Sequence, residues 1–114
     1  MAIHTNLAAG KWETITLAEQ LANIGSEIGR VSHWQRAKDV QQKRLALKRA
    51  LELIRLTISD HRWANHRRKE IVVLRSVVRD TFMGKNRTHT RPELLEAYFI
   101  PFALHAASKF TQHP

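Results

Sequence analysis

The chain has no cysteine, which excludes a disulfide framework, a thiolate metal site and a cysteine nucleophile, and fits a reducing compartment. Glycine and proline are scarce, with 4 and 3 residues among 114. So little turn material favours long uninterrupted helices over a many-stranded sheet. Long hydrophobic runs are missing as well: nothing approaches the roughly 18 apolar residues of a spanning helix, and Met1 to Thr16 lacks an apolar core of signal-peptide length. A soluble, cytoplasmic protein with no membrane contact is expected. Acidic residues are also in short supply, 10 against 19 lysines and arginines, for a formal charge of +9. What is present is ordinary for a single small globular domain, 43% apolar and 25% charged, so disorder is not expected as the main state.

The surplus of positive charge is local. Arg30 to Arg91 holds 17 basic residues against 5 acidic ones, net +12, whereas the flanks carry 2 lysines against 5 glutamates, net −3. No internal repeat or low-complexity tract interrupts the chain. Residues 1–13 and 109–114 are expected to be flexible, with one folded unit over 14–108.

Four helices account for that unit. The first opens at Thr16-Leu-Ala-Glu19, a capping box, and Leu17, Leu21, Ile24, Ile28 and Val31 follow at helical spacing. Beside this stripe runs a second of small residues, Ala18, Ala22, Gly25 and Gly29. Glycine inside a helix costs about 1 kcal/mol relative to alanine, so the row implies close approach by another backbone, in the fold or from a second subunit. A frayed helix end near Gly29 is the alternative. The second helix is expected from Asp39, as cap, to Ser59, with Val40, Leu47, Leu51, Ile54 and Ile58 facing a core. A third runs from Ala64 to Met83, with Gly84 placed as its C-terminal stop and Gly84 to Thr90 as a polar loop. A fourth begins near Arg91-Pro92-Glu93, where proline is tolerated in the first turn, and Pro101 should kink it. Four helices joined by short connections describe an all-α, antiparallel up-down four-helix bundle. The fourth helix is apolar over most of its circumference, more than one face of a bundle hides. Self-association is the inference, with Leu95, Tyr98, Phe99 and Phe102 as contacts; an exposed apolar rim on a monomer is the alternative.

Little in the sequence supports catalysis. The seven histidines show no i, i+3 or i, i+4 pair, and neither His-Glu-x-x-His nor the paired Glu-x-x-His of di-iron bundles occurs. No metal and no cofactor is expected. A Gly-x-Ser-x-Gly elbow and a glycine-rich phosphate loop are missing too, and Glu52 and Glu70 read as ion-pair partners inside arginine-rich helices. The expectation is a protein that is not an enzyme.

What remains is a basic surface. Arg44, Lys48 and Arg55 share one face of the second helix, with Lys43 and Arg49 beside it. Arg68, Arg75 and Arg79 share a face of the third, with Arg67 and Lys69 adjoining. On consecutive antiparallel helices these rows can merge into a patch. Arginine's planar fork can make two hydrogen bonds to a phosphate, so the patch reads as a site for RNA or DNA, held by phosphate neutralisation and counterion release. An acidic protein partner and a merely solvated face are the competing readings. Trp63, beside Arg62, could stack on a base or could plug the end of the bundle.

The capped first helix, the arginine-rich middle and the aromatic Tyr98-Phe99-Ile100-Pro101-Phe102 make the body of the chain, roughly residues 14–108, resemble the accessory variability determinant proteins of diversity-generating retroelements. Those are related to bundle proteins encoded in ribosomal RNA intervening sequences. The resemblance rests on architecture and charge. It implies a pentameric ring of bundles that binds nucleic acid and a partner reverse transcriptase, assisting synthesis of mutagenised complementary DNA without catalysing it.

Overall fold

A computed structural model describes residues 10–111. Among these residues it forms four α-helices and no strand: α1 (Leu17–Arg36), α2 (Val40–Ile58), α3 (His66–Phe82) and α4 (Pro92–Thr111), with 3-10 turns at Lys11–Thr14 and His61–Trp63. This is an all-α fold whose helix packing is compatible with a bundle.

The helix starts follow local chemistry. At α1 the Glu19 N–H donates to Thr16 Oγ1 at 3.1 Å while the Thr16 N–H donates to Glu19 Oε1 at 3.3 Å, so two otherwise orphaned backbone donors are satisfied reciprocally. At α2, Asp39 Oδ1 accepts the Gln42 N–H at 3.0 Å. The α1–α2 corner turns on Lys38, a left-handed residue with φ 59°. Where the sequence places the third helix from Ala64, α3 starts two residues later, because His61–Trp63 forms its own turn, capped by Asp60. Gly84 stands at the expected stop, directly after the cap residue Met83, and its N–H donates to the Arg79 carbonyl at 2.9 Å. α3 ends at Phe82, and the left-handed residues that turn the chain are Asn86 and His89, not Gly84. Asp80 closes the loop, accepting the backbone N–H groups of Arg87 and Thr88, each at 2.9 Å.

One core gathers Ile24, Ile28 and Val31 of α1, Leu47, Ala50 and Ile54 of α2, Ile71, Leu74 and Val78 of α3, and Leu95 and Phe99 of α4. Each of these side chains larger than alanine contributes about 1.5–3 kcal/mol on burial. The small-residue row of α1 faces α4: a Cβ built on Gly25 would lie 2.5 Å from Phe99 Cβ, and one on Gly29 would lie 3.8 Å from Glu96 Oε1. The close approach is therefore internal, and α1 continues past Gly29 to Arg36 without fraying there.

The terminal boundaries move outward. Trp12, expected in a flexible segment, is 1% exposed and belongs to the core, because its ring closes the end of the α1–α2 pair and its indole N–H donates to Thr57 Oγ1 at 3.0 Å. Residues 1–9 lie outside the described residues. At the other end α4 runs through Thr111, and residues 112–114 of the expected tail lie outside the described residues.

Candidate nucleic-acid interface

α2 turns Ala46, Leu47, Ala50, Leu53, Ile54 and Thr57 inward, which leaves Arg44, Lys48 and Arg55 on its exposed side. Steps of 4 and 7 residues return to nearly the same angle at 3.6 residues per turn, so the three make one row. α3 buries Ile71, Leu74, Val78 and Phe82. One of its flanks meets α4, where the Tyr98 hydroxyl donates to Glu70 Oε1 at 2.9 Å and Val73, Leu74 and Val77 share a cleft of about 250 Å³ with Leu94, Leu95 and Tyr98. Arg68, Arg75 and Arg79 lie on the other flank, toward α2. At the far end of the pair, Val40, Lys43, Arg44 and Leu47 line a cleft with Phe82 and Met83, and Met83 lines the next one with Arg79. Arg44 and Arg79 thus stand on either side of one exposed methionine. The outer edge of the α2–α3 seam carries a cation row from each helix.

Not every expected residue belongs to it. Lys43 is half-buried at the Met83 end. Arg68 closes the α3 row at the other end, half-buried as Arg75 is, its Nη2 3.4 Å from the Asp60 carbonyl and its Nε without a partner. Arg49 is directed to α1 instead, with Nε 3.3 Å from Glu27 Oε2, a carboxylate that Arg30 also reaches at 2.9 Å. It links helices and is removed from the seam. Arg67 is exposed on the α4 side, where its charge acts on Tyr98, so it too falls outside the row.

Four of the five carboxylates of this basic region are drawn elsewhere, and the fifth, Glu52, stands on α2 between Lys48 and Arg55. Asp39 caps α2, Asp60 takes Arg62 and Gln20, Glu70 accepts from Tyr98 and Asp80 binds the 84–90 loop. Backbone donation from Thr88 and then Arg87 holds the Asp80 carboxyl below its usual range. Burial of Tyr98, followed by its bond to the Glu70 carboxylate, pushes its hydroxyl up to about 12, so both groups keep these charge states across the neutral range.

A polar network at the loop end of the seam was missed by sequence reasoning. Gln20 is buried and donates from Nε2 to the Trp12 carbonyl and to Asp60 Oδ2, both at 2.9 Å, while its Oε1 accepts the Trp63 indole N–H at 2.8 Å. Asp60 is 1% exposed and receives Arg62 Nη2 at 2.7 Å. Burial raises its carboxyl pKa, but hydrogen bonds from Arg62 and Gln20 and the Arg62 charge outweigh this and bring it down to about 2. The one signal in the sequence was Gln20 itself, three and four residues from Leu17 and Ile24 on an apolar stripe. Trp63 is half-buried, its N–H is engaged, and the Arg62 guanidinium covers its ring at 4.5 Å. It packs against the core with a cation already over one face of its ring.

Of the four residues expected to meet another copy, two are buried within the single chain. Leu95 and Phe99 are 5% and 3% exposed within the single chain, and Tyr98 and Phe102 pack partly against its core, because α1 and α3 already cover that side of α4. The outward residues are Leu94, Ile100 and Leu104, at 55%, 55% and 67%. Among the described residues no helix is long and apolar enough to cross a membrane.

Comparison with protein-family models, with curated proteins and with solved structures returns no match for this chain.

Proposed function

We propose that this chain is a nucleic-acid-binding protein that holds RNA or DNA on the α2–α3 seam and catalyses nothing itself. The observation that carries the reading is the pair of cation rows along one edge, from which four nearby carboxylates are drawn away by caps, a tyrosine, an arginine outside the rows and a loop. In this reading the four helices form an antiparallel up-down bundle. Copies associate through the outward side of α4, where Leu94, Ile100 and Leu104 are exposed and no lysine or arginine occurs between Pro92 and Ser108. That division leaves the seam open in the assembly. The resemblance to the accessory variability determinant proteins adds the finer proposal of a pentamer that presents nucleic acid to a reverse transcriptase.

Neutralising Arg44, Lys48, Arg55, Arg75 and Arg79 together to glutamine tests the reading. Binding of a labelled nucleic acid should be lost in the variant while its helical circular dichroism is unchanged. Undiminished binding would overturn the assignment of the site. Failure of the wild type to bind RNA or DNA at low salt, together with recovery of a protein partner after nuclease treatment, would establish the acidic-protein alternative.

A further inference from the structure

The spacing of the two rows says more than their charge. Along α2 the cations stand at Arg44, Lys48 and Arg55, in steps of 4 and 7; along α3 they stand at Arg68, Arg75 and Arg79, in steps of 7 and 4. The cleft that joins Val40 and Arg44 to Phe82 and Met83 brings the start of α2 against the end of α3, so the second row is read in reverse relative to the first. Reversed, the steps coincide. That order sets Arg44 opposite Arg79, Lys48 opposite Arg75 and Arg55 opposite the half-buried Arg68, three rungs that span about 16 Å at 1.5 Å per residue. Packed helix axes lie about 8–10 Å apart, so the rungs set two lines of positive charge side by side along the seam.

A single strand offers one line of phosphates and can neutralise one such row. A duplex offers two, on either side of a groove. Proteins that prefer single strands add aromatic platforms on which bases stack, and among the described residues no exposed ring lies along this seam. Trp12, Phe82 and Phe99 are buried in the core. Trp34 and Trp63 are half-buried near the two ends, with His33 edge-on to one at 4.7 Å and Arg62 over the other. Tyr98 and Phe102, on α4, pack partly against the core and on each other at 5.6 Å.

Resting on the nucleic-acid reading above, we infer that the seam takes a duplex, with one strand's phosphates on the α2 row and the other strand's on the α3 row, and does not read base sequence. The test measures affinity against salt concentration for the full chain with four probes of one sequence: duplex RNA, duplex DNA and the single strand of each. Six contacts to a duplex give a slope of log K on log salt of about −5, and three contacts to a single strand about −2. The double variant Arg75→Gln/Arg79→Gln should reduce the duplex slope by about 2 and leave the single-strand slope unchanged, because the α2 row remains; circular dichroism verifies its fold. Tighter binding of one duplex over the other identifies which groove geometry fits the rungs and supports the inference. A single strand that binds as tightly as either duplex, with an equal or steeper slope, overturns it while leaving the nucleic-acid reading intact. Absence of binding to all four probes at low salt overturns that reading as well.

Discussion

Where α1 meets α4 the side chains nearly vanish, and where α2 meets α3 the longest ones line the edge. The α1–α4 contact brings Ala22, Gly25 and Ser26 against Phe99, Ile100 and Ala103, close enough that a methyl group on Gly25 would collide with Phe99. The α2–α3 pair keeps an apolar interior but carries arginine and lysine along its outer margin. The difference separates two kinds of work. Close packing stabilises the fold and tolerates no added volume, whereas a solvated cation row adds little stability and leaves its charge for a partner.

Truncating the packed side has the largest expected effect. Phe99→Ala should cost about 3–5 kcal/mol in a urea titration, since it removes a buried ring wedged between α1 and the core. Next is the buried Asp60. Its carboxyl titrates at about 2 in the folded chain, below the usual 3.8, so its contribution is complete above the unfolded value and is lost as pH falls from about 4 toward 2. The shift corresponds to about 2 kcal/mol. Urea midpoints of the wild type should fall over that window, and Asp60→Asn, less stable at neutral pH, should lack that part of the decline. The two helical glycines then divide. Gly25→Ala should lose about 1–2 kcal/mol, because overpacking against Phe99 exceeds the gain in helix propensity. Gly29→Ala, which would meet only the far end of Glu96 at 3.8 Å, should gain about 1 kcal/mol. Changes of the same sign at the two glycines would break the packing account of the α1–α4 contact. Smallest is the seam: the five-residue glutamine variant should shift stability by no more than about 0.5 kcal/mol.

The legible features were those written in neighbouring residues. Thr16 with Glu19 and Asp39 with Gln42 act over three positions, and the small-residue row repeats every turn, so local rules found the caps and the tight face. The network of Trp12, Gln20, Thr57, Asp60 and Trp63 joins residues 40 or more apart along the chain, and no periodicity encodes such partners. The outward face of α4 was misassigned for a different reason. A helix apolar on nearly all sides carries no pattern that ranks Leu94 against Leu95, and only its packing on α1 and α3 decides. The seam lay between these cases: the rows were readable from steps of 4 and 7, but the removal of Arg49 and Arg67 required knowing where Glu27 and Tyr98 stand.

The central claim is that the α2–α3 seam binds nucleic acid through its phosphates, and the salt dependence of that binding tests it most directly. A wild-type chain using six contacts should lose about 10³-fold in affinity between about 50 and 200 mM salt, with a slope near −5 that flattens when the seam is neutralised. Affinity independent of salt, or a slope identical in the wild type and the five-residue variant, would contradict it.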